Sequence, residues 1–574
     1  MAMLYLQQGL QSMNTQCHFY VSMWLASVFA LSELLASAAD WPMLGRDGTR
    51  NSVSPNGNPP LDWALPKVDV TGRLQSWETE RWNEDKVRNV RWKSKLGTMT
   101  YGSPIVADGK VYIGTNDASR LKPYSSHEVR AGALLCFRES DGKFLWQFSA
   151  RELATTYYRF YNSGLGASPL VEGKRLWFVS NRCEMICLDT EGFHDGKDDG
   201  VKESGVTPAD KQEADVVWRF DMVKELGVYQ QSFILGPHRH GSPASFRNRV
   251  YVVTGNGTDR ENRIKAPKTP SLVCFDKDTG KVLWTDASPG ENILHGTVSD
   301  PLVVEIEGHG QVIVGQADGW LRSFDALTGE LIWKFDFNKK ESKWRHRGDR
   351  STILATAVFY KGRVYVGSGR DCENGIGQGR LVCIDPKRKG DISSELAVDA
   401  EGRAIPHRRL QAVLPEKGEK AIPNPNSGLI WDYTAVDQNK DNKLEWDEAF
   451  HRTMSSVAIK NNLLVAADYE GLVHCFDADT GKRHWACDAA NEIVAAPLIV
   501  EDIVYVASAD GKVLIFRLSP DPKQAMKKTD DGKWSPLVEI DMTHTVYSPP
   551  TFANGVLYIA TRHHLWAIAA PQDK

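Results

Sequence analysis

The 574-residue chain lacks a marked excess of either charge: 69 Lys and Arg stand against 73 Asp and Glu, a net charge of −4. It has no basic or acidic tail, so nothing in the composition supports wrapping around nucleic acid. It also lacks a nucleophile elbow, a phosphate-cradling glycine loop and a His-Glu-x-x-His helix, which leaves those hydrolase, nucleotide and zinc signatures unfilled. Gly255-Asn256-Gly257 follows a strand pattern but opens no helix, and reads as a turn. Residues 1–39 contain one charged side chain, Glu33, and an apolar run from Phe19 to Ala30 followed by Leu35-Ala-Ser-Ala-Ala39. This predicts a signal peptide cleaved near Ala38 or Ala39, without the usual basic region because no Lys or Arg precedes Arg46. The alternative is an uncleaved N-terminal anchor, although the run is short and polar around Ser32-Glu33 for a membrane span, and no later stretch approaches one.

No two of the 9 cysteines are adjacent, and no Cys-x-x-Cys-His is present, so covalent haem is not expected. Cys136, Cys187, Cys274, Cys383 and Cys475 share one position of a repeat, which Ser323 takes once. Equivalent positions in different sheets make poor disulfide partners, and a small buried strand residue accounts for them. Cys183, Cys372 and Cys487 stand apart, and no pairing is assigned.

The repeat is what the sequence has in abundance. Cys274 to Trp284 reads CFDKDTGKVLW, Cys475 to Trp485 reads CFDADTGKRHW, Ser323 to Trp333 reads SFDALTGELIW, and Cys136 to Trp146 reads CFRESDGKFLW. Each is a β-hairpin: a strand end, a tight Asp-x-x-Thr-Gly turn whose Gly takes positive φ, and a returning strand that ends on a Trp. Eight units follow one another, opening at Ser103-Pro104, Ser168-Pro169, Ser242-Pro243, Asp300-Pro301, Thr356-Ala357, Ser455-Ser456, Ala496-Pro497 and Ser548-Pro549. The last unit has no returning strand, whereas residues 91–96, around Trp92, have a strand without a unit. The two omissions match. The fold predicted is therefore all-β, an eight-bladed β-propeller of four-stranded antiparallel blades over residues 90–574, closed when residues 91–96 join the last blade. Blade two is interrupted between Cys187 and Val216, blade five between Asp385 and Gly428. Residues 40–89 form an N-terminal extension rich in Pro, Gly and Asn with little periodicity.

The Ser-Pro openers, the Cys-Phe-Asp-x-x-Thr-Gly-Lys-x-x-Trp phrase and Trp41-Pro42 resemble the pyrroloquinoline quinone (PQQ)-like β-propeller repeat family. That family includes quinoprotein alcohol dehydrogenases and non-catalytic members similar to the assembly lipoprotein BamB. The resemblance implies, for a dehydrogenase, a vicinal disulfide stacked on the quinone, a Trp beneath it, a calcium and an Asp base. This chain departs from that pattern in having no adjacent cysteines and no Asp that aligns as the base, so no catalytic residue is assigned.

Between blades five and six, residues 437–448 are similar to a twelve-residue EF-hand loop. Ca²⁺ takes six to eight hard oxygens, and the spacing offers Asp437, Asn439, Asp441, the Lys443 carbonyl, Glu445 through water and Glu448 at the twelfth place. Asn442 stands where Gly is usual, and Gly428 to Tyr433 reads as a strand where an entering helix would be. A second acidic turn, His194 to Gly200, matches no ligand spacing and is read as surface. The loops before the openers carry cationic or imidazole groups at one repeat location: Arg159, His238, Arg239, His240, His295, Arg345, His346, Arg347, Arg350, His451, Arg452 and His544. Facing the axis they would form a funnel for a carboxylate, sulfate or phosphate; the alternative is scattered surface charge. The sequence is read as an exported, periplasmic or extracellular, monomeric propeller, a non-catalytic binding or assembly module with structural calcium and an envelope protein or glycan as partner. The competing reading is a PQQ-dependent dehydrogenase oxidising an alcohol or sugar.

Overall fold

The structure, a computed structural model, describes residues 39–55, 57–65, 87–117, 131–151, 164–201, 210–230, 241–259, 261–342, 350, 352–369, 377–405, 408–489 and 491–570. The signal segment thus lies outside the described residues.

Eight four-stranded antiparallel blades follow one another along the chain, most of them built from strands consecutive in sequence apart from the insertions. Blade one runs Ile105–Ala107, Lys110–Asn116, Ala131–Arg138 and Phe144–Arg151, from innermost to outermost. Blade eight has Thr551–Ala553, Val556–Ala560 and His564–Ile568, and its outer strand is Val90–Lys95, paired antiparallel with His564–Ile568. The expected closure by an N-terminal strand is therefore present. It removes the open edge that a linear array of sheets would leave. The interrupted blades resume as expected, with outer strands Val216–Asp221 in blade two and Leu429–Tyr433 in blade five.

Local chemistry explains the hairpin phrase. In blade three the Asp276 carboxylate accepts from the Thr279 backbone N–H at 2.9 Å and its hydroxyl at 2.8 Å, and Gly280 follows at φ 69°. The register between the strands shifts by one residue at Cys274/Phe275, the bulge such a turn requires. Blades four and six repeat the arrangement at Asp325–Thr328 and Asp477–Thr480. The seven described cysteines are buried and unpaired, and burial pushes thiols such as Cys274 up to about 12.

The openers explain themselves once the ring is closed. The Ser103 N–H donates to Ser168 Oγ at 2.8 Å, Ser168 N–H to Ser242 Oγ at 3.1 Å, Ser242 N–H to Asp300 Oδ1 at 2.8 Å, and Asp300 N–H to Thr356 Oγ1 at 3.2 Å. At these four joints a short side-chain oxygen of one opener satisfies the backbone of the preceding blade.

The N-terminal extension has a role its composition does not announce. Its backbone walks around the ring, meeting the blades in order. Trp41 forms a bridge with Val106 of blade one, and Pro42 accepts from Val171 N–H of blade two at 2.8 Å. Thr49 accepts from Phe359 N–H of blade five, the Asn51 amide holds both backbone groups of Ile459 in blade six, and Val53–Ser54 adds as a parallel strand to Ile499 and Val500 of blade seven. Gly57 lies against the Phe552 ring of blade eight, with no room for a Cβ. Arg50 covers blades three and four. It is 2% exposed and donates to the Ser242, Pro243, Pro301 and Leu44 carbonyls at 2.9–3.1 Å. Burial lowers its pKa to about 10, which leaves it charged at neutral pH. The extension therefore caps the inner edges of the blades, whose backbone groups would otherwise face an unfilled channel.

Arg50→Met should lower the free energy of unfolding by about 3 kcal/mol, because it strips charged donors from buried carbonyls. Urea denaturation checks this; an unchanged midpoint would show that the extension is not part of the fold's stability.

Candidate functional site

Arg159, His238, Arg239, His240, Arg345, His346 and Arg347 lie outside the described residues; His295, Arg350, His451 and Arg452 lie within them. Residues one or two positions before the openers, with Tyr469 from a turn of blade six, are the ones that meet across the ring. Leu354, Tyr469 and Val494 pack together with Val298, Met454 and Tyr547, and Tyr547 meets Tyr101 at 5.5 Å. These side chains come from blades four to eight and one, and they are apolar or aromatic. The described cationic and imidazole groups, His544 included, lie slightly upstream; His295, Arg350, His451 and Arg452 are buried and His544 part-buried, and three of them engage the turns between second and third strands.

The first of these engagements is in blade four. Asp318 is fully buried and receives a fork from Arg322, Nη1 to Oδ1 at 2.9 Å and Nη2 to Oδ2 at 2.7 Å. Arg409, reaching across from the blade-five insertion, adds Nη2 to Oδ2 at 3.0 Å and Nη1 to the Asp318 carbonyl at 2.5 Å. Arg350 donates to the same carbonyl at 3.2 Å. Burial alone would raise the Asp318 pKa, but the two guanidinium groups outweigh it and hold the carboxylate low. Nearby Asp336, buried with a weaker donor in Gln411 Nε2 at 3.2 Å, is instead raised to about 6 by desolvation. Desolvation also lowers Arg350 to about 9. The network ties two blades and the insertion to one carboxylate.

The second is in blade six. Asp468 Oδ2 accepts from His451 Nδ1 at 2.9 Å and from His474 Nε2 at 3.1 Å, with all three residues buried. This sets the tautomers and leaves His474 Nδ1 as a bare buried nitrogen with no partner. Desolvation pushes Asp468 up, but the imidazole hydrogen bonds prevail and hold it well below the carboxylate range. Burial pushes His474 below its ordinary value. The Trp446 ring stacks on His451 at 4.8 Å, linking this group to the loop before it. Arg452 pairs with Glu470 at 2.7 Å and lies over Tyr469 at 4.6 Å.

Asp318, Arg322, Asp468 and His474 were not among the expected site residues. A signal existed. Arg322 and His474 occupy the third-strand slot filled elsewhere by Leu135, Ile186, Val273 and Val382, so the repeat is broken by a polar residue at the same place twice.

The 437–448 loop follows directly from blade five. Asp437 accepts from Lys440 N–H at 2.6 Å and Asn442 N–H at 2.8 Å, and Asn442 has φ 67° at the position where Gly is usual. Glu448 is buried, its carboxylate accepting from the Gln438, Asn439 and Glu445 N–H groups, which keep its pKa low. The donors are the hard oxygens calcium takes and the backbone turns as such a loop must. Among the described residues, however, no three His, Cys, Asp or Glu side chains are gathered as a metal cluster. Glu448 would have to exchange amide partners for the ion. The second acidic turn is a surface feature, His194 and Asp195 being exposed beside a short 3-10 turn, Gly192–Asp195.

Because His474 is held neutral in the fold, the unfolded chain takes up a proton first as pH falls below its ordinary value of about 6.5. Asp468 acts in the same direction at lower pH. Stability should fall from about pH 6.5 downward, and His474→Gln should flatten the upper part of that fall. Denaturant titrations across the range check it; identical profiles would assign the acid loss elsewhere.

A family model described as outer membrane protein assembly factor BamB matches residues 202–412 and 426–521. BamB of Shewanella oneidensis is 23% identical over 340 residues, covering 54% of this chain and 79% of that protein. Quinohemoprotein alcohol dehydrogenase ADH IIB of Pseudomonas putida is 21% identical over 493 residues, covering 77% of this chain and 63% of that protein. Among solved structures, BamB of Moraxella catarrhalis aligns with TM-score 0.45 at 14% identity over 84% of this chain and 98% of that one. With more than half of the 574 residues matched, on the eight-bladed ring described above, the chain belongs to the PQQ-like propeller family of the outer membrane protein assembly factor BamB.

Proposed function

We propose that the protein is an exported, non-catalytic module that binds or assembles partners in the cell envelope, on the periplasmic or extracellular side. The observation that carries this reading is the family match to an assembly factor, which covers the blades where the repeat carries its additions. Those additions present apolar side chains outward: Val436, Leu444 and Trp446 are 50%, 61% and 45% exposed on one loop. Such side chains suit contact with an envelope protein better than water. No helix among the described residues is long and apolar enough to cross a membrane.

Calcium belongs to this reading as a structural ion. Asp437, Asn439, Asp441, the Lys443 carbonyl, Glu445 and Glu448 would hold it, and it would supply a fixed positive charge that rigidifies the loop bearing Leu444 and Trp446. Calcium should therefore raise the melting temperature of the purified protein, and Glu448→Gln should weaken the apparent affinity at least tenfold. A melting temperature indifferent to calcium would remove the ion from the account.

A second reading is a PQQ-dependent dehydrogenase, favoured by the quinohemoprotein relative, whose alignment takes in 77% of this chain. Against it stand the absence of adjacent cysteines in the sequence and the burial of the seven described cysteines as free thiols. Calorimetric titration of PQQ in calcium-containing buffer separates the two. No binding is expected; tight, near-stoichiometric binding would overturn the preferred reading.

A further inference from the structure

The blade-five insertion leaves its own sheet at Asp385 and folds back over blade four. Gly390–Asp391 adds a parallel strand to the outer edge of that blade, against Trp333 and Lys334, and Glu395–Val398 pairs with Lys420–Pro423 in a separate hairpin. Between blade four and this hairpin lies a cleft of about 460 Å³. That volume falls within the roughly 300–1,000 Å³ of small-molecule sites.

The lining of the cleft is of two kinds: apolar side chains from Trp320, Leu396, Ile405, Leu410 and Pro425, and a polar wall from Asp336, Asp391, Ser393, Glu395, Arg408 and Asn426. Lys334, also in the lining, lies 4.5 Å from the centre of the Trp320 ring. Apart from the buried Asp336, which accepts from Gln411 Nε2, the charged groups of the lining are paired. Lys334 lies 3.5 Å from Asp391, Lys340 2.8 Å from Glu395, and Arg408 3.0 Å from Glu419. A wall of paired charges does not select an ion. Each carboxylate still has lone pairs and the guanidinium has further N–H groups, so the wall offers many donors and acceptors to a neutral partner. An apolar peptide side chain would cover these groups without pairing them, at a cost of about 1–3 kcal/mol for each one buried.

A neutral ligand with one C–H face and a rim of hydroxyls satisfies both kinds of lining. We infer that the cleft between blade four and the insertion is a carbohydrate site taking a neutral mono- or disaccharide. The inference rests on reading the ring as a binding module and names one class of partner for it. Most of the cleft's lining lies within the stretch 202–412 that the family model matches, and Asn424 and Pro425 fall between the two matched stretches.

The test is saturation-transfer NMR and calorimetry on the full chain with cellobiose, maltose, lactose and chitobiose. Two variants accompany it. Ala404→Trp fills the cleft from an exposed rim position, and Glu395→Gln keeps the shape of the polar wall while changing its donors. The expected result is millimolar or tighter binding of at least one disaccharide, weakened tenfold or more in Ala404→Trp and several-fold in Glu395→Gln, at unchanged melting temperature. Binding that persists in Ala404→Trp would place the sugar elsewhere and overturn the assignment. So would an absence of binding by all four sugars, or displacement of an apolar probe from the cleft by a leucine-rich peptide alone. None of these sugar results decides between binding module and dehydrogenase, which the PQQ titration does separately.

Discussion

The ring depends on one contact, repeated at most of its joints: the outer-strand Trp of one blade seated on the turn of the next. Trp92, Trp146, Trp218, Trp284 and Trp431 lie against Gly142, Gly192, Gly280, Gly329 and Gly481, where an added Cβ would fall 2.5–2.9 Å from the ring. Each indole N–H also donates to a carbonyl of that turn: Glu139, Thr190, Lys277, Ala326 and Ala478, at 2.8–3.2 Å. Trp485 does the same to Ser519 at 2.8 Å. The turn glycine thus answers two demands at once. It supplies the positive φ that closes its own hairpin, and its missing side chain makes the seat for the neighbouring indole.

Where this contact is missing, other parts of the chain take its place. Trp333 of blade four donates within its own blade, to Gln311 Oε1 at 3.1 Å, because the blade-five turn it would meet has been replaced by the insertion. The insertion covers that joint instead. The outer strand of blade seven, Val538–Asp541, has no Trp, and there the N-terminal extension supplies Pro60 as acceptor for Tyr505 at 2.8 Å and Trp63 against Met542. The two large non-repeating segments therefore sit at the two joints where the indole contact fails. Their positions follow from the mechanics of closing the ring.

Much of this was legible because a repeat is periodic. The hairpin phrase, the unit boundaries, the closure through Trp92 and the ends of both interrupted blades could be placed from spacing alone. The extension could not. Its residues meet successive blades, mostly through backbone groups, so its side chains carry no period; Arg50, Asn51 and Trp63 bond through side chains, and no spacing in the sequence announces them. The loops before the openers supply side chains that pack together, but these are the residues one or two positions before the opener, at Val298, Leu354, Met454, Val494 and Tyr547. A strand leads inward with alternating directions, and a shift of one or two positions decides whether a charge faces the axis or a neighbouring turn.

The same logic indicates why function would gather in one sector. In blades one, two, three and five the residue before the Cys slot of the third strand is apolar, at Leu135, Ile186, Val273 and Val382. Blades four and six break that rule at one slot, with Arg322 and His474, and each break requires a buried acid, Asp318 or Asp468, and further donors from adjoining loops. Blade five lies between them and carries both the insertion, which supplies Arg409, and the 437–448 loop, whose Trp446 rests on His451. Isolated buried charges are costly, and they persist only where surrounding structure over-determines their partners. Three adjacent blades holding two such groups, two additions and a cleft are therefore not a random scatter of substitutions on a ring of eight. The regular blades supply a rigid frame, and the departures from regularity, concentrated from Asp286 to Asp468, define the face that distinguishes this chain from the repeat it is built on.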